Sequence, residues 1–361
     1  MSIALVGLGL IASLVGGAWV IYALQPFSHR GGLFVAAFAL LAWLARGLRR
    51  DGVQAATTSG VQAARWRVPR SIRKFVIGVL GVWCGLIAWS AVSPGGPMPT
   101  PKKAPDDIRV LNWNILHGDD EGPPWIRRGW PARKKALRAV LRAAGPDILC
   151  VQEALDGQVK FLEAELPNHR RVGVGRDDGR SAGEYCAIYF DADRFEPLDG
   201  GTFWLEEPAD EPPDDPALGP KRICTWARLR DRRGGATLRV YNTHLYLTER
   251  ARQRAVRIIL DQVETGDAAD EVLIVGDFNA PPGAPSRALF NAAGLVSAAE
   301  LAGEPIGLPT FQFYGIRFRG LDDVYLGRSW RRIRYQIVDA KPGNIFPSDH
   351  FGILADLRGE P

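Results

Sequence analysis

Three apolar stretches in the first hundred residues constrain this chain more than any other feature of it. The first runs from Ser2 to Leu24 without a charge, the second from Gly31 to Leu48 with Arg46 as its only charged residue, and the third from Phe75 to Val92 without a charge. A helix that crosses a bilayer needs roughly 20 mostly apolar residues. The stretch 2–24 meets that length, 75–92 nearly does, and 31–48 spans if Arg46 reaches back towards the headgroups. Their Gly and Ala content suits close helix packing in lipid. A cleaved signal peptide is the competing reading of 2–24, but the stretch has no basic leader and two further apolar segments follow it. A helix buried in a soluble core is the competing reading of 31–48.

Orientation follows from the loops. Arg46, Arg49, Arg50, Arg65, Arg67, Arg70, Arg73 and Lys74 lie at or between the second and third stretches against the single acid Asp51, whereas the first loop holds Arg30 and His29. Basic loops stay cytoplasmic. Three spans therefore place everything after Val92 outside; Lys102 and Lys103 argue weakly the other way. If 31–48 does not span, the third helix still delivers the rest of the chain to the outer side. The expected organisation is a multi-pass membrane region over 1–93 (helices 2–24, 31–48 and 75–92) in the cytoplasmic membrane. A semi-rigid Pro/Gly-rich linker over 94–105, within SPGGPMPTPKKAP, and an extracytoplasmic globular domain over 106–361 follow.

Charge is divided along the same boundary. Residues 1–105 hold 11 Lys/Arg and one acid, and residues 106–361 hold 34 basic against 39 acidic residues, a balance of −5. The globular part thus lacks the bulk basic character of a nucleic-acid binder, although a local basic patch is compatible with it. Cys84, Cys150, Cys186 and Cys224 form no CxxC pair and no cluster with His; they read as small buried hydrophobes, with a Cys186–Cys224 bridge as the alternative in an oxidising compartment.

Beyond residue 106 strands and helices mix. Short apolar runs with turn signals nearby predict strands at 108–115, 148–152, 187–190, 225–229, 238–243, 272–275 and 321–325. Basic residues at helical spacing opposite Ala, Leu, Val and Ile predict helices over 133–144 and 249–263, with the Arg-rich sides solvated. Trp204 to Lys221, rich in Pro and acids, reads as a loop near a cleft mouth. No repeat of 20–50 residues and no low-complexity tract is present.

Five of the apolar runs end in polar side chains: Asn114 in IRVLNWN, Glu153 in DILCVQE, Asn242 and His244 in LRVYNTH, Asp277 and Asn279 in VLIVGDFN, and Asp349 and His350 in SDH near the C-terminus. Strand ends sit at the rim of a sheet, so several of them can line one cleft. Hard oxygen ligands such as Glu153, Asp349 and the Asn114 carbonyl suit Mg²⁺ or Mn²⁺. A divalent ion neutralises phosphate charge, Asp277 can orient or deprotonate water, and Asn279 can donate to charge developing on phosphorus. His244 and His350 can serve as acid, base or clamp, with Asp322 and Glu184 as the carboxylates that fix their tautomers. Each piece taken singly is more often a turn or cap residue; the inference rests on their number and order.

That ordered set, N-W-N, D-I-L-C-V-Q-E, N-T-H-L, G-D-F-N, L-D-D-V and S-D-H, resembles the endonuclease/exonuclease/phosphatase superfamily over about 108–357. The resemblance implies an α/β (α+β) four-layer sandwich, two packed mixed β-sheets flanked by helices. It also implies a divalent-metal-dependent phosphoester hydrolase. It assigns Asn114, Glu153 and Asp349 to the metal; His244, Asp277, Asn279 and His350 to catalysis; and Glu184 and Asp322 as partners of the two histidines. Arg222 and Asn242 are further candidates for contacting a substrate phosphate, with a surface or salt-bridged arginine as the competing reading of Arg222. The family usually carries an aromatic after the acid of I-D-Y-I; Asp323 stands there here, and Asp322 is preferred by position. The layout also looks like membrane-anchored bacterial members. A lipid headgroup or small phosphoester is the favoured substrate, an extracytoplasmic nuclease on DNA or RNA the alternative, and a catalytically inactive receptor or scaffold the alternative of a different class. The bilayer is the one further partner, and no obligate protein partner is inferred.

Overall fold

A computed structural model describes residues 93–359 apart from 101–103, 120–128, 214–219, 314 and 328, together with six positions between 74 and 89. The expected spans 2–24 and 31–48, with Cys84, lie outside the described residues, as does most of 75–92. Among the described residues no helix is long and apolar enough to cross a membrane.

Residues 94–118 and 130–361 form one compact unit. It is a four-layer sandwich of two six-stranded sheets. The first has the order β13 (Trp330–Val338), β14 (Gly352–Gly359), β1 (Ile108–Asn114), β2 (Ile148–Ala154), β4 (Tyr185–Asp191), β3 (His169–Val172). The second has the order β5 (Phe195–Trp204), β6 (Ile223–Asp231), β7 (Thr237–His244), β8 (Glu271–Asp277), β12 (Asp322–Leu326), β9 (Val296–Ser297). Both are mixed: β1 pairs parallel with β2 and β7 with β8, and the other pairs are antiparallel. Each parallel pair is joined by a helix, because a parallel return needs a crossover. These are α1 (Trp130–Ala144) and α3 (Glu249–Glu264), and α2 (Asp156–Glu165), α4 (Pro285–Ala292) and the short α5 (Ala298–Leu301) complete the set.

Alternation along the strands decides what each layer holds. In β1, Ile108 and Val110 enter the core between the sheets, while Leu111 and Trp113 pack with Leu137, Val140 and Leu141 of α1. In β7, Leu238 and Val240 face the same inter-sheet core, while Tyr241 packs under Ala255, Val256 and Ile259 of α3. The period of 2 in the strands and of 3.6 in the helices thus builds three stacked apolar layers. Cys150, Cys186 and Cys224 are free and buried, Cys150 and Cys224 within these layers and Cys186 in a small cluster with Trp204 and Ile223.

The helix faces differ from expectation at two positions. Arg133 and Arg252 are buried rather than solvated. Arg133 donates to the carbonyls of Ile115, Leu116, His117 and Pro347, and Arg252 to Glu249 and the carbonyls of Tyr246 and Leu247. A guanidinium carries five donors in a planar fork, so it can knot loops from inside where water is absent. At the far end of the sandwich Arg109 makes a bidentate pair with Asp356 (2.6 and 2.8 Å), and Arg194 binds Asp231 and Asp147.

Residues 94–100, expected to belong to a linker, are packed into this unit. The Gly96 amide donates to the Asp339 carbonyl (2.9 Å), Gly96 bridges Ala340, and Arg109 holds the Thr100 carbonyl. A glycine pair is needed: a Cβ on Gly95 would stand 2.4 Å from the Lys341 Cβ and 2.7 Å from its backbone nitrogen.

Gly276, the residue before Asp277, has φ 154°, and a Cβ there would meet the Thr243 carbonyl oxygen at 2.0 Å. Backbone cannot yield as a flexible side chain can. Gly276→Ala is therefore expected to destabilise the fold by more than about 1 kcal/mol in chemical denaturation, whereas Ala at Gly145, with nothing within 4 Å of its Cβ, meets only the penalty of its positive φ.

Candidate active site

The inter-sheet rows of side chains end in chemistry at one rim of the sandwich. Following the alternation that buries Val110, Val240, Val275 and Val324, the next inter-sheet positions outward are Asn112 then Asn114 in β1, Asn242 then His244 in β7, Asp277 in β8 and Asp322 in β12. Register puts His244 opposite Asp277, and Asp277 opposite Asp322, on three neighbouring strands. Directly opposed carboxylates repel, and here an imidazole intervenes. His350 Nδ1 lies 2.8 Å from Asp322 Oδ2, and its Nε2 lies 3.6 Å from Asp277 Oδ2. His244 Nε2 approaches the same Asp277 oxygen at 3.5 Å.

The first sheet meets this group through an amide. Asn114 Nδ2 donates to Glu153 Oε1 (2.9 Å) and to Asp277 Oδ2 (3.0 Å), while its Oδ1 accepts from the Leu116 amide (3.1 Å). That last bond fixes which way the amide points. Glu153 reaches the rim because β2 is irregular between Val151 and Ala154 and the residue itself has φ 61°. The left-handed region costs a side-chain-bearing residue roughly 1–2 kcal/mol. Asn279 likewise has φ 50°; its amide donates to Asp277 Oδ1 (2.9 Å) and its Nδ2 to the Leu245 carbonyl (2.9 Å). Two backbones held in a sparsely populated conformation beside one carboxylate cluster are the kind of strain that accompanies function.

Asp349 is half-buried, and its neighbour Ser348 donates to the Asn114 carbonyl (2.7 Å) and accepts from the His350 amide (3.1 Å). Thr310 Oγ1 accepts from the amides of Leu321 and Asp322, setting the height of the Asp322 carboxylate. Neither Ser348 nor Thr310 was singled out from sequence; a hydroxyl beside a motif carries no periodic signal. Asp323 points to the opposite face, where it binds Arg287 and Ser297, so strand alternation selects Asp322 as the partner of His350.

Two expected residues stand differently. Asn242 is fully buried, with Nδ2 on the carbonyls of Val151 and Ala187 and Oδ1 taken by Gln152, so it lies one step beneath the rim and cannot hold substrate phosphate. Glu184 comes to 4.0 Å from His244 Nδ1, beyond a hydrogen bond, because Arg176 engages both of its oxygens (2.5 and 3.0 Å). Arg222 is buried, and its Nε and one terminal nitrogen have no hydrogen-bond partner among the described residues.

Charge in the site is unevenly distributed. Burial pushes the Glu153 carboxyl up to about 8, helped by the charges of Glu184 and Asp349 and opposed by the Asn114 bond. Burial and Asp322 also raise Asp277. Burial alone would lower His350, but Asp322 and Asp277 carry it well above the ordinary imidazole value. His244 is held well below it, by burial first and then by Arg222 and Arg176. At neutral pH His350 is therefore an imidazolium and His244 a neutral base, two imidazoles with opposite duties.

A divalent cation fits this set. Hard oxygens from Glu153 and Asp349, with Glu184 near enough to act on Glu153, leave a carboxylate group whose mutual repulsion a cation would offset. The ligand-capable atoms of Asp277, Asp322 and His350 also lie within 4.8 Å of one another. Because Asp322 and His350 are hydrogen-bonded to each other, that trio reads better as a dyad facing Asp277, and the Glu153–Asp349 side as the place for the ion. Glu153 binds its proton more tightly folded than unfolded, so between about pH 7.5 and 8, above the titration of an unfolded imidazole, where His244 is essentially neutral in both states, the folded protein holds more protons and loses stability as pH rises. The melting temperature in EDTA is expected to fall across that window, and Mg²⁺ to restore it most at the alkaline end; a flat profile would remove the electrostatic argument.

The model of the Endonuclease/Exonuclease/phosphatase family matches residues 111–350, from the second half of β1 to His350. Nocturnin of Drosophila melanogaster is 28% identical over 198 residues, 49% of this chain and 29% of its own length, so the chain spans well under half of that relative. An endonuclease/exonuclease/phosphatase of Bacteroides vulgatus superposes with a TM-score of 0.61 at 26% identity, covering 70% of this chain and 99% of that one. A mannosyl-6-phosphatase of Bacteroides thetaiotaomicron shares the fold, with a TM-score of 0.60 at 23% identity over 70% of this chain and 99% of its own.

Proposed function

Because this chain belongs to the endonuclease/exonuclease/phosphatase family and is a metal-dependent phosphoester hydrolase, we propose that it uses Mg²⁺ or Mn²⁺, is anchored in the cytoplasmic membrane, and cleaves lipid headgroup or small phosphoesters on its outer side. The observation that carries the chemistry is the Asp277 carboxylate, reached at 3.5 Å by a neutral imidazole, at 3.6 Å by a charged one and at 3.0 Å by Asn114.

Each side chain has a task that its surroundings permit. Asp277, whose burial and the neighbouring Asp322 raise its affinity for protons, accepts one from the attacking water while Asn114 and the Asn279 amide hold its two oxygens. His350, kept charged by Asp322, donates a hydrogen bond to a phosphoryl oxygen as charge accumulates there. Neutral His244 orients the same phosphoryl group, and the unpaired nitrogens of Arg222 offer it two further donors. An ion held by Glu153 and Asp349, with Asn114 beside them, would supply charge neutralisation to the leaving oxygen. The net charge of −5 over 106–361 supports small or headgroup esters over nucleic acid, whose affinity comes from Lys and Arg displacing counterions.

A substrate panel on the full chain in detergent tests this reading. With Mg²⁺, bis-p-nitrophenyl phosphate and sphingomyelin are expected to turn over faster than plasmid DNA, and EDTA to abolish both activities; cleavage of DNA alone would contradict the substrate assignment. Asp277→Ala should lower kcat by about 10³-fold or more with the melting curve intact, as for removal of a general base. An unchanged rate would overturn the site. Asp322→Asn should lower kcat by about 10²-fold and move the alkaline limb of the pH profile down towards the ordinary imidazole range, because the charge that holds the proton on His350 is gone.

A further inference from the structure

Resting on the hydrolase reading above, we propose that Arg176 is a positioning residue that sets the tautomer of His244: by holding both oxygens of Glu184 it leaves Nδ1 without a carboxylate, so that the single proton of the ring stands on Nε2, facing Asp277 and the substrate phosphoryl group. Arg176 Nη1 and Nη2 donate to Glu184 Oε2 (2.5 Å) and Oε1 (3.0 Å). His244 Nδ1 stands 4.0 Å from Oε2, the oxygen that Nη1 holds, and has no hydrogen-bond partner among the described residues. One carboxylate oxygen thus has two claimants, and the guanidinium, with two parallel donors against one, keeps it.

The hairpin 175–184 builds this pair in. The Arg176 amide donates to the Glu184 carbonyl (3.1 Å) and the Asp177 amide to the Ala182 carbonyl (3.0 Å), so Arg176 and Glu184 stand directly across from each other. Little slippage is possible. A Cβ on Gly175 would lie 2.3 Å from the Ala182 carbonyl oxygen, and Trp204 Nε1 at the end of β5 ties down the Arg176 carbonyl (2.8 Å). The His244 ring is left with an available carboxylate on one side only. Its Nε2 faces Asp277 Oδ2 at 3.5 Å, whereas the Glu184 carboxylate beyond Nδ1 is already neutralised by Arg176. The remaining charges acting on the ring, Arg222 and His350, are positive, and with burial they keep it neutral, so it has one proton to place. Which ring nitrogen carries that proton is set by the partner each of them meets. A proton on Nε2 is drawn by Asp277 and can be donated to a phosphoryl oxygen. A proton on Nδ1 would turn a lone pair towards both of those oxygens, two repulsions in place of two attractions.

Nitrogen NMR of the full chain in detergent, labelled with ¹⁵N-histidine, reads the tautomer without any substrate. Of the five histidines, His244 is assigned by the signals lost in His244→Gln. The unmodified chain is expected to carry the His244 proton on Nε2. Arg176→Gln should move it to Nδ1, where the freed Glu184 accepts it, and lower kcat/KM for bis-p-nitrophenyl phosphate by about tenfold, as for one hydrogen bond lost to a charged oxygen. Adding Glu184→Gln removes the carboxylate that draws the proton, so the double variant should return it to Nε2 and regain most of the rate. A residue needed only for folding would not be rescued by a second substitution. A proton on Nδ1 in the unmodified chain, which needs no variant to detect, would overturn the inference. So would an unchanged tautomer in folded Arg176→Gln, or a double variant no faster than the single one. An unmodified chain that carries the Nε2 proton but hydrolyses no phosphoester overturns the functional reading instead.

Discussion

Everything at the rim depends on a row of buried amides that locks the two sheets together one step beneath it. Gln152 donates to both Asn112 (2.8 Å) and Asn242 (2.6 Å), Asn112 reaches the Gly276 carbonyl (3.2 Å), and Asn242 caps the carbonyls of Val151 and Ala187. All three side chains are wholly buried. Apolar packing between sheets is tolerant of sliding, because one methyl contact resembles another. Amides are not: a register slip would leave buried donors unpaired, at about 1–3 kcal/mol each. The ladder therefore converts a slippery interface into a fixed one, and Asn114, the next rung outward, joins Glu153 of one sheet to Asp277 of the other.

That fixed frame explains how the site tolerates so much charge. Asp277 and Asp322 stand opposite each other, and Glu153 sits with Glu184 and Asp349. Left to relax, such groups would separate or take up protons. The frame denies the first, and the raised Glu153 and Asp277 record the second. His350 settles the Asp277–Asp322 side by remaining charged between them, while His244, beside Arg222 and Arg176, is kept neutral. Both imidazoles are buried near carboxylates, but Asp322 hydrogen-bonds His350 directly, whereas Arg222 and Arg176 add their charges to burial at His244.

Strand positions were legible in the sequence because β1, β2, β7, β8 and β12 are apolar runs bounded by polar ends. Their rim residues were legible because each run stops in a carboxylate, amide or imidazole. Alternation would also have separated Asn242 from His244: positions 238, 240, 242 and 244 share one face, so Asn242 stands between Val240 in the core and His244 at the edge. Asn242 thus supports the rim from beneath, and His244 lines it. The strands β5, β13 and β14 escaped because Gly-Gly, WRRIR and GILADLRG carry weak periodicity and gain their strand character from neighbours. The burial of Arg109, Arg133, Arg194 and Arg287 was not legible at all. Their acceptors stand as much as 247 residues away, and an arginine's local context is the same whether its partner is water or a distant carbonyl.

The central claim is that Glu153 and Asp349, at the rim of the first sheet and beside the Asp277 carboxylate of the second, hold a divalent ion. Direct binding of Mn²⁺, followed by electron paramagnetic resonance on the unmodified chain and on Glu153→Gln and Asp349→Asn, tests it without reference to any substrate. The account predicts a saturable bound signal in the parent that weakens by at least about tenfold in affinity in each variant, as expected when a charged ligand is neutralised. Binding of equal strength in all three proteins would mean that these carboxylates meet for some other reason.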